Sequence, residues 1–167
     1  MKISSGKMKN SVSLVVARGF LLVEVIIGAA IISLCLLSVI TVGQGFLRLS
    51  FQSLQEAQAS FLMEEGAEVM RSFRDISWVN ISGLAPGTEY YVSYNGEKWA
   101  TSTTPITIDR FFDRKITVSD VERDANDDIV QSGGVVDVGT KKVVVTVTWP
   151  MSSGVITKTT MFYLTNI

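Results

Sequence analysis

Residues 20–42 read FLLVEVIIGAAIISLCLLSVITV, and this stretch decides the architecture. It holds 23 residues and one charge, Glu24. A helix of about 20 apolar residues spans a bilayer. The segment before it, MKISSGKMKNSVSLVVARG, carries Lys2, Lys7, Lys9 and Arg18 and no acid. On the far side only Arg48 lies close. The basic end stays in the cytoplasm by the positive-inside rule, so the C-terminal part is expected to be exported.

The rest of the composition follows from that segment. The chain has 167 residues, 15 Lys+Arg, 16 Asp+Glu, one Cys and no His, with 19% charged residues. Soluble domains average about 25% charged. The mean hydropathy of +0.32 is raised by residues 20–42. Without His there is no Ser-His-Asp triad and no His-ligated zinc. One Cys allows no intrachain disulfide and no CxxC pair. Cys35 reads as a small apolar filler in the span.

An ordinary secretory signal has an apolar core of about 7–15 residues followed by a small-residue cleavage site. Here the apolar run is longer and a carboxylate sits about one turn inside it. A charge at a membrane helix centre costs roughly 2.5–3.5 kcal/mol on insertion scales, and such residues mark function by default. The plain alternative is an uncut signal anchor displaying a β-rich binding head.

The junction Gly19-Phe20-Leu21-Leu22-Val23-Glu24, after a basic leader and opening a long apolar helix, resembles the type IV prepilin signal. In that family a membrane peptidase cuts after the Gly, and the new N-terminus is usually methylated. The resemblance implies cleavage between Gly19 and Phe20, N-methylation of Phe20, and Glu24 as the hallmark acid at the fifth mature position. Leu21 departs from the Thr or Ser of many members. The segments EEGAEVMRSFRD, PGTEYY and VERDANDDIV resemble heads of pilin-like proteins. The implied partners are the prepilin peptidase, other pilin subunits, an inner-membrane assembly platform, and the lipid bilayer before assembly. The implied location is the bacterial inner membrane, then an extracellular pilus or periplasmic pseudopilus. No enzymatic activity is expected.

Cleavage would create an α-amino group on Phe20. Glu24 of one subunit could pair with that group on the next. An unpaired buried charge is strongly destabilising, so a misregistered subunit would be rejected. Gly28 with Ala29 suits close helix packing. Gly43 and Gly45 suit either a bend at the membrane surface or a site where the helix melts under strain.

Past Val42 the helical period continues. Leu47, Phe51, Leu54, Phe61, Leu62, Val69, Met70 and Phe73 recur mostly at three, four and seven, which predicts one stripe facing a second layer. The other face carries Arg48, Gln52, Gln55, Glu56, Ser60, Glu64, Glu68 and Arg71. Glu68–Arg71 and Arg71–Asp75 are expected to pair.

The predicted organisation is α+β: a leader over 1–19, a helix over 20–74 whose filament-core half is 20–42, and an antiparallel head over 75–167. Tyr90–Tyr94, Asn95-Gly96 and Glu97–Thr101 predict a hairpin with a type I′ turn. Further strands are predicted over 111–121, 142–149 and 155–164, with Val143, Val145, Val147 and Trp149 on one face. Pro150–Gly154 predicts a turn, and 77–87 a connecting loop. Four to six strands are expected.

In the head, Asp124, Asn126 and Asp128 alternate like the first half of a calcium loop. Ile129 stands where such a loop needs Gly, and Val135 where it needs Glu. A turn rich in Asx residues explains the same pattern. Asp109, Asp113, Asp120 and Glu122 read as surface charge. Trp78, Trp99, Tyr90, Tyr91 and Tyr94 could form a ligand-facing aromatic patch, but most of them read as core or subunit contacts. Arg71, Arg74, Arg110, Arg114, Arg123, Lys141, Lys142 and Lys158 could include a DNA-facing strip. The charge after residue 19, 11 basic against 16 acidic, opposes DNA uptake.

Overall fold

The computed structural model describes the backbone of residues 9–151 and 154–167, and side chains from residue 21 onward. The fold is α+β. Helix α1 runs Lys9–Ile76, with a short α2 at Val79–Ser82. Seven strands follow: β1 (Glu89–Tyr94), β2 (Trp99–Ser102), β3 (Thr107–Ile108), β4 (Phe112–Arg123), β5 (Ile129–Val130), β6 (Val135–Met151) and β7 (Gly154–Thr165). The chain divides into two units, Met1–Ser53 and Leu54–Ile167.

The first unit is helix among its described residues. The α-helix continues through Gly43 and Gly45 without interruption and begins earlier than the expected residue 20.

The second unit is a sheet covered by the end of α1. Its order is β2-β1-β4-β6-β7, with β3 and β5 also pairing β4, all antiparallel. Two of the seven strands have two residues each, too short for alternation to reveal, so the expected four to six is exceeded. Long β-branched runs make β4, β6 and β7 the body of the sheet. Alternation puts Val143, Val145, Val147 and Trp149 on the buried face, as the sequence predicts. On β4, Phe112, Arg114, Ile116 and Val118 are buried, and then Val121. The parity changes because the β4–β6 register shifts between Asp120 and Val121. Asp120 pairs Lys141 but Val121 pairs Asp137, which leaves 138–140 bulged.

The helix stripe facing the sheet differs from the expected one. Ala59, Gly66, Ala67, Val69 and Met70 are buried, with Leu62, Met63 and Phe73 half-buried beside them. Leu47, Phe51, Leu54 and Phe61 are exposed, Phe61 at 69%. At 100° per residue, Leu54 and Phe61 lie about 140° and 160° from the centre of the buried stripe, nearly on the opposite face. The small residues mark the contact because they let the helix backbone approach the strands. At Gly66 a Cβ would meet Val145 Cγ1 at 3.0 Å and Arg114 Cδ at 3.2 Å.

Two turns also depart from expectation. Tyr94 pairs Trp99, so the hairpin loop is the four residues 95–98. Asn95 Oδ1 accepts from the amides of Glu97 and Lys98, at 3.1 and 2.9 Å. That Asx turn replaces the predicted two-residue type I′ turn. The two consecutive positive φ values that type I′ requires occur at Asp109 (52°) and Arg110 (57°), closed by the Phe111 amide donating to Ile108 O at 3.0 Å. Between 77 and 87, α2 carries Ile81 fully into the core. At the last hairpin the β6–β7 register continues to Met151 and Gly154, inside the predicted turn Pro150–Gly154. Residues 152–153 lie outside the described residues.

Candidate functional site

The apolar half of α1 is the first candidate. The window from Leu21 is long and apolar enough to cross a membrane, and none of it is buried by the rest of the chain. Ser33, Ser38 and Thr41 donate their hydroxyls to the carbonyls of Ala29, Leu34 and Leu37, at 2.8, 2.9 and 2.9 Å. Such i−4 bonds leave no donor hydrogen facing an apolar medium. Glu24 is exposed amid Leu21, Leu22, Val23, Val25 and Ile26. A Cβ on Gly28, Gly43 or Gly45 would meet no atom within 4 Å, so no contact inside the chain requires glycine there. Cys35 is a free, exposed thiol. Gly19 and Phe20 have helical backbone, but their side chains and residues 1–8 lie outside the described residues, so the cleavage and methylation expectations fall there.

The second candidate lies where α1 meets the sheet. Arg114, one of the cations that could face DNA by sequence, is only 3% exposed. Strand alternation turns it toward the helix. Its guanidinium pairs with Glu65 and donates to Leu62 O at 3.2 Å and Val92 O at 3.4 Å. It also lies 5.9 Å from the Trp99 ring centroid. Its Nε finds no acceptor among the described residues. This is a clasp between helix and sheet. Sequence reasoning missed it because nothing local to FFDRKITV says that the Arg points inward.

Several other cations of that group are also engaged. Arg71 pairs with Glu68 and lies 5.1 Å from the Phe162 centroid, while Asp75 pairs with Arg74 rather than Arg71. Lys141 pairs with Asp120, and Lys158 with Glu56 at 3.3 Å.

The Asp124 loop is closed on itself. Asp124 Oδ1 accepts from the amides of Asn126 and Asp128, at 2.8 and 3.0 Å. Asp127 takes φ 68°, and its carbonyl accepts from Arg123 at 2.8 Å. Arg123 Nε donates to Asp137 Oδ2 at 2.7 Å. That bond first, and then the Thr140 hydroxyl and the Gly139 amide, hold the Asp137 carboxyl at about 2, from an ordinary 3.8. Among the described residues no three His, Cys, Asp or Glu side chains are grouped to hold a metal. Asp124, Asn126 and Asp128 share a loop in which Asp124 Oδ1 accepts from two backbone amides. The Arg123–Asp137 pair has no sequence signal beyond opposite charges on neighbouring strands.

Asp120 faces Lys141, and Glu122 accepts from the Gly134 amide at 3.0 Å, so these two carboxylates are engaged separately. Lys115 pairs with Glu89 and lowers its carboxyl pKa; burial raises that of the Tyr91 hydroxyl. Tyr90 accepts from the Ala85 amide at 2.9 Å and pins the loop after α2. Tyr91 is buried, Trp78 and Trp99 are half-buried against the core, and Tyr94 is exposed. No protein-family model, no curated protein and no solved structure matches the chain.

Proposed function

We propose that this chain is a structural subunit of a type IV pilus or related filament. The observation that carries the reading is Glu24, the one charge in the described span 21–42, exposed among apolar residues that nothing else in the described chain covers. In lipid that charge is costly. It becomes favourable only when a second molecule brings an opposite charge to it. Cleavage between Gly19 and Phe20 by the prepilin peptidase would supply one, the amino group of a neighbouring subunit's Phe20. Residues 20–42 would serve first as the anchor in the inner membrane and then as the filament core. Contacts there would be heterologous and open-ended, the arrangement that yields filaments. The assembly platform in the inner membrane would extract each subunit, and the head would be exported. The role needs no catalytic residue and no cofactor.

N-terminal mass spectrometry of the membrane-extracted protein tests this reading. A mature chain beginning at Phe20, with or without a methyl group, supports it. A chain still beginning at Met1 replaces it with the uncut anchor bearing a β-rich head. Glu24→Ala is expected to insert normally and to assemble poorly. Filaments of normal number from Glu24→Ala would remove the register role.

A further inference from the structure

A groove of about 690 Å³ runs between the end of α1, α2 and the β1–β2 hairpin. Phe73, Asn80, Tyr94, Glu97, Lys98 and Trp99 give it its character. We propose that it binds a neutral oligosaccharide.

The aromatic part is built rather than incidental. Cross-strand pairing of Tyr94 with Trp99 sets their rings 5.5 Å apart at 53°. Trp99 is also fixed by the Arg114 guanidinium, 5.9 Å from its ring. Two rings at an angle, at the mouth of an open groove, offer flat apolar surface to the C–H faces of sugar rings. Aromatic side chains suit such sites because one body is apolar while the edge stays wet.

The polar part matches the other half of a sugar. The Glu97 carboxylate and the Lys98 ammonium form no ion pair among the described residues. Their backbone amides are held by Asn95, which fixes the loop while the side chains stay available. Asn80 donates Nδ2 to Phe73 O at 3.1 Å, which turns its Oδ1 away from that carbonyl. Acceptor, donor and amide oxygen together suit vicinal hydroxyls, which both donate and accept. Opposite charges on adjacent residues cancel, so the groove carries no bias toward an ionic ligand. The volume lies within the range of about 300–1,000 Å³ typical of small-molecule sites. The groove lies wholly in Leu54–Ile167, so the inference stands apart from the filament reading.

The test uses the full chain in lipid nanodiscs, which avoids sugar-headed detergents. A panel of neutral oligosaccharides including cellotriose, chitotriose and maltotriose is titrated by calorimetry. Binding by at least one member is expected, weakened about tenfold or more by Tyr94→Ala and by Glu97→Gln, a loss of about 1.4 kcal/mol. Both side chains are exposed, so both variants should melt near the parent temperature. Trp99→Ala is avoided because that ring also packs on the core. Three results would overturn the proposal: no panel member bound at millimolar concentration, equal affinity in both variants, or a proline-rich peptide taking the groove without competition from sugar.

Discussion

Arg114 on β4 and Glu65 on α1 are joined across the helix–sheet boundary, with the guanidinium buried and the carboxylate half in solvent. The asymmetry sets the energetics. Removing Glu65 leaves a buried cation without its counter-charge, which costs about 3–5 kcal/mol in such pairs. Removing Arg114 leaves a carboxylate that water can still reach. Glu65→Ala should therefore destabilise the head by about 3 kcal/mol, and Arg114→Met by clearly less. Urea unfolding followed through the buried Trp149 reads both. Equal losses would mean that the clasp acts through packing alone.

Gly66→Ala sets two effects against each other. Alanine gains about 1 kcal/mol of helix propensity over glycine. The new Cβ would approach Val145 Cγ1 at 3.0 Å and Arg114 Cδ at 3.2 Å. Overpacking costs about 1–3 kcal/mol. The clash should win, and the midpoint should fall. A raised midpoint would show that the Val145 and Arg114 side chains yield freely.

The Asp109-Arg110 turn holds two side chains at positive φ. A left-handed residue other than Gly costs roughly 1–2 kcal/mol, less for Asn or Asp. The double substitution Asp109→Asn, Arg110→Gly should raise stability by about 1 kcal/mol, read as a higher urea midpoint with unchanged slope.

Acid should weaken the head in a defined window. Arg123, Thr140 and Gly139 hold the Asp137 carboxyl at about 2 against an ordinary 3.8, and Lys115 lowers the Glu89 carboxyl in the same direction. A depressed folded value means that the unfolded chain takes up protons first. The stabilisation is complete above the unfolded value and is lost as pH falls from about 4 toward 2. Melting temperature against pH should drop through that window, and Asp137→Asn should flatten the drop.

Calcium should leave the melting temperature of the parent protein unchanged, because Asp124 Oδ1 already accepts two amides. Asp124→Ala should cost about 1 kcal/mol with or without the ion, the worth of a lost turn or cap bond. A calcium-dependent rise that vanishes in Asp124→Ala would restore the ion-binding reading.

The sequence made some parts of this fold readable and hid others for definite reasons. The long helix was legible because apolarity and period are local properties. The buried face of β6 was legible because strands alternate. Leu47, Phe51, Leu54 and Phe61 misled because apolar residues at helical spacing do not say where a second layer covers them. The actual contact runs through Ala59, Gly66 and Ala67, whose value lies in what they lack. Asn95-Gly96 matched a turn signature, but register placed the strands two residues further apart. Asp109-Arg110 carries no such signature, and only strand pairing forces it into the left-handed region. Arg114 and Trp99 could not be joined in advance, since their contact depends on β1 lying beside β4.

Ser33, Ser38 and Thr41 return their hydroxyls to the helix that carries them. The span thus enters any apolar surrounding with its polar groups already quenched, save one. Moving it from fatty acyl chains to a bed of other helices breaks none of these bonds. To the described residues 21–42 the two surroundings look alike except at Glu24, their one charge.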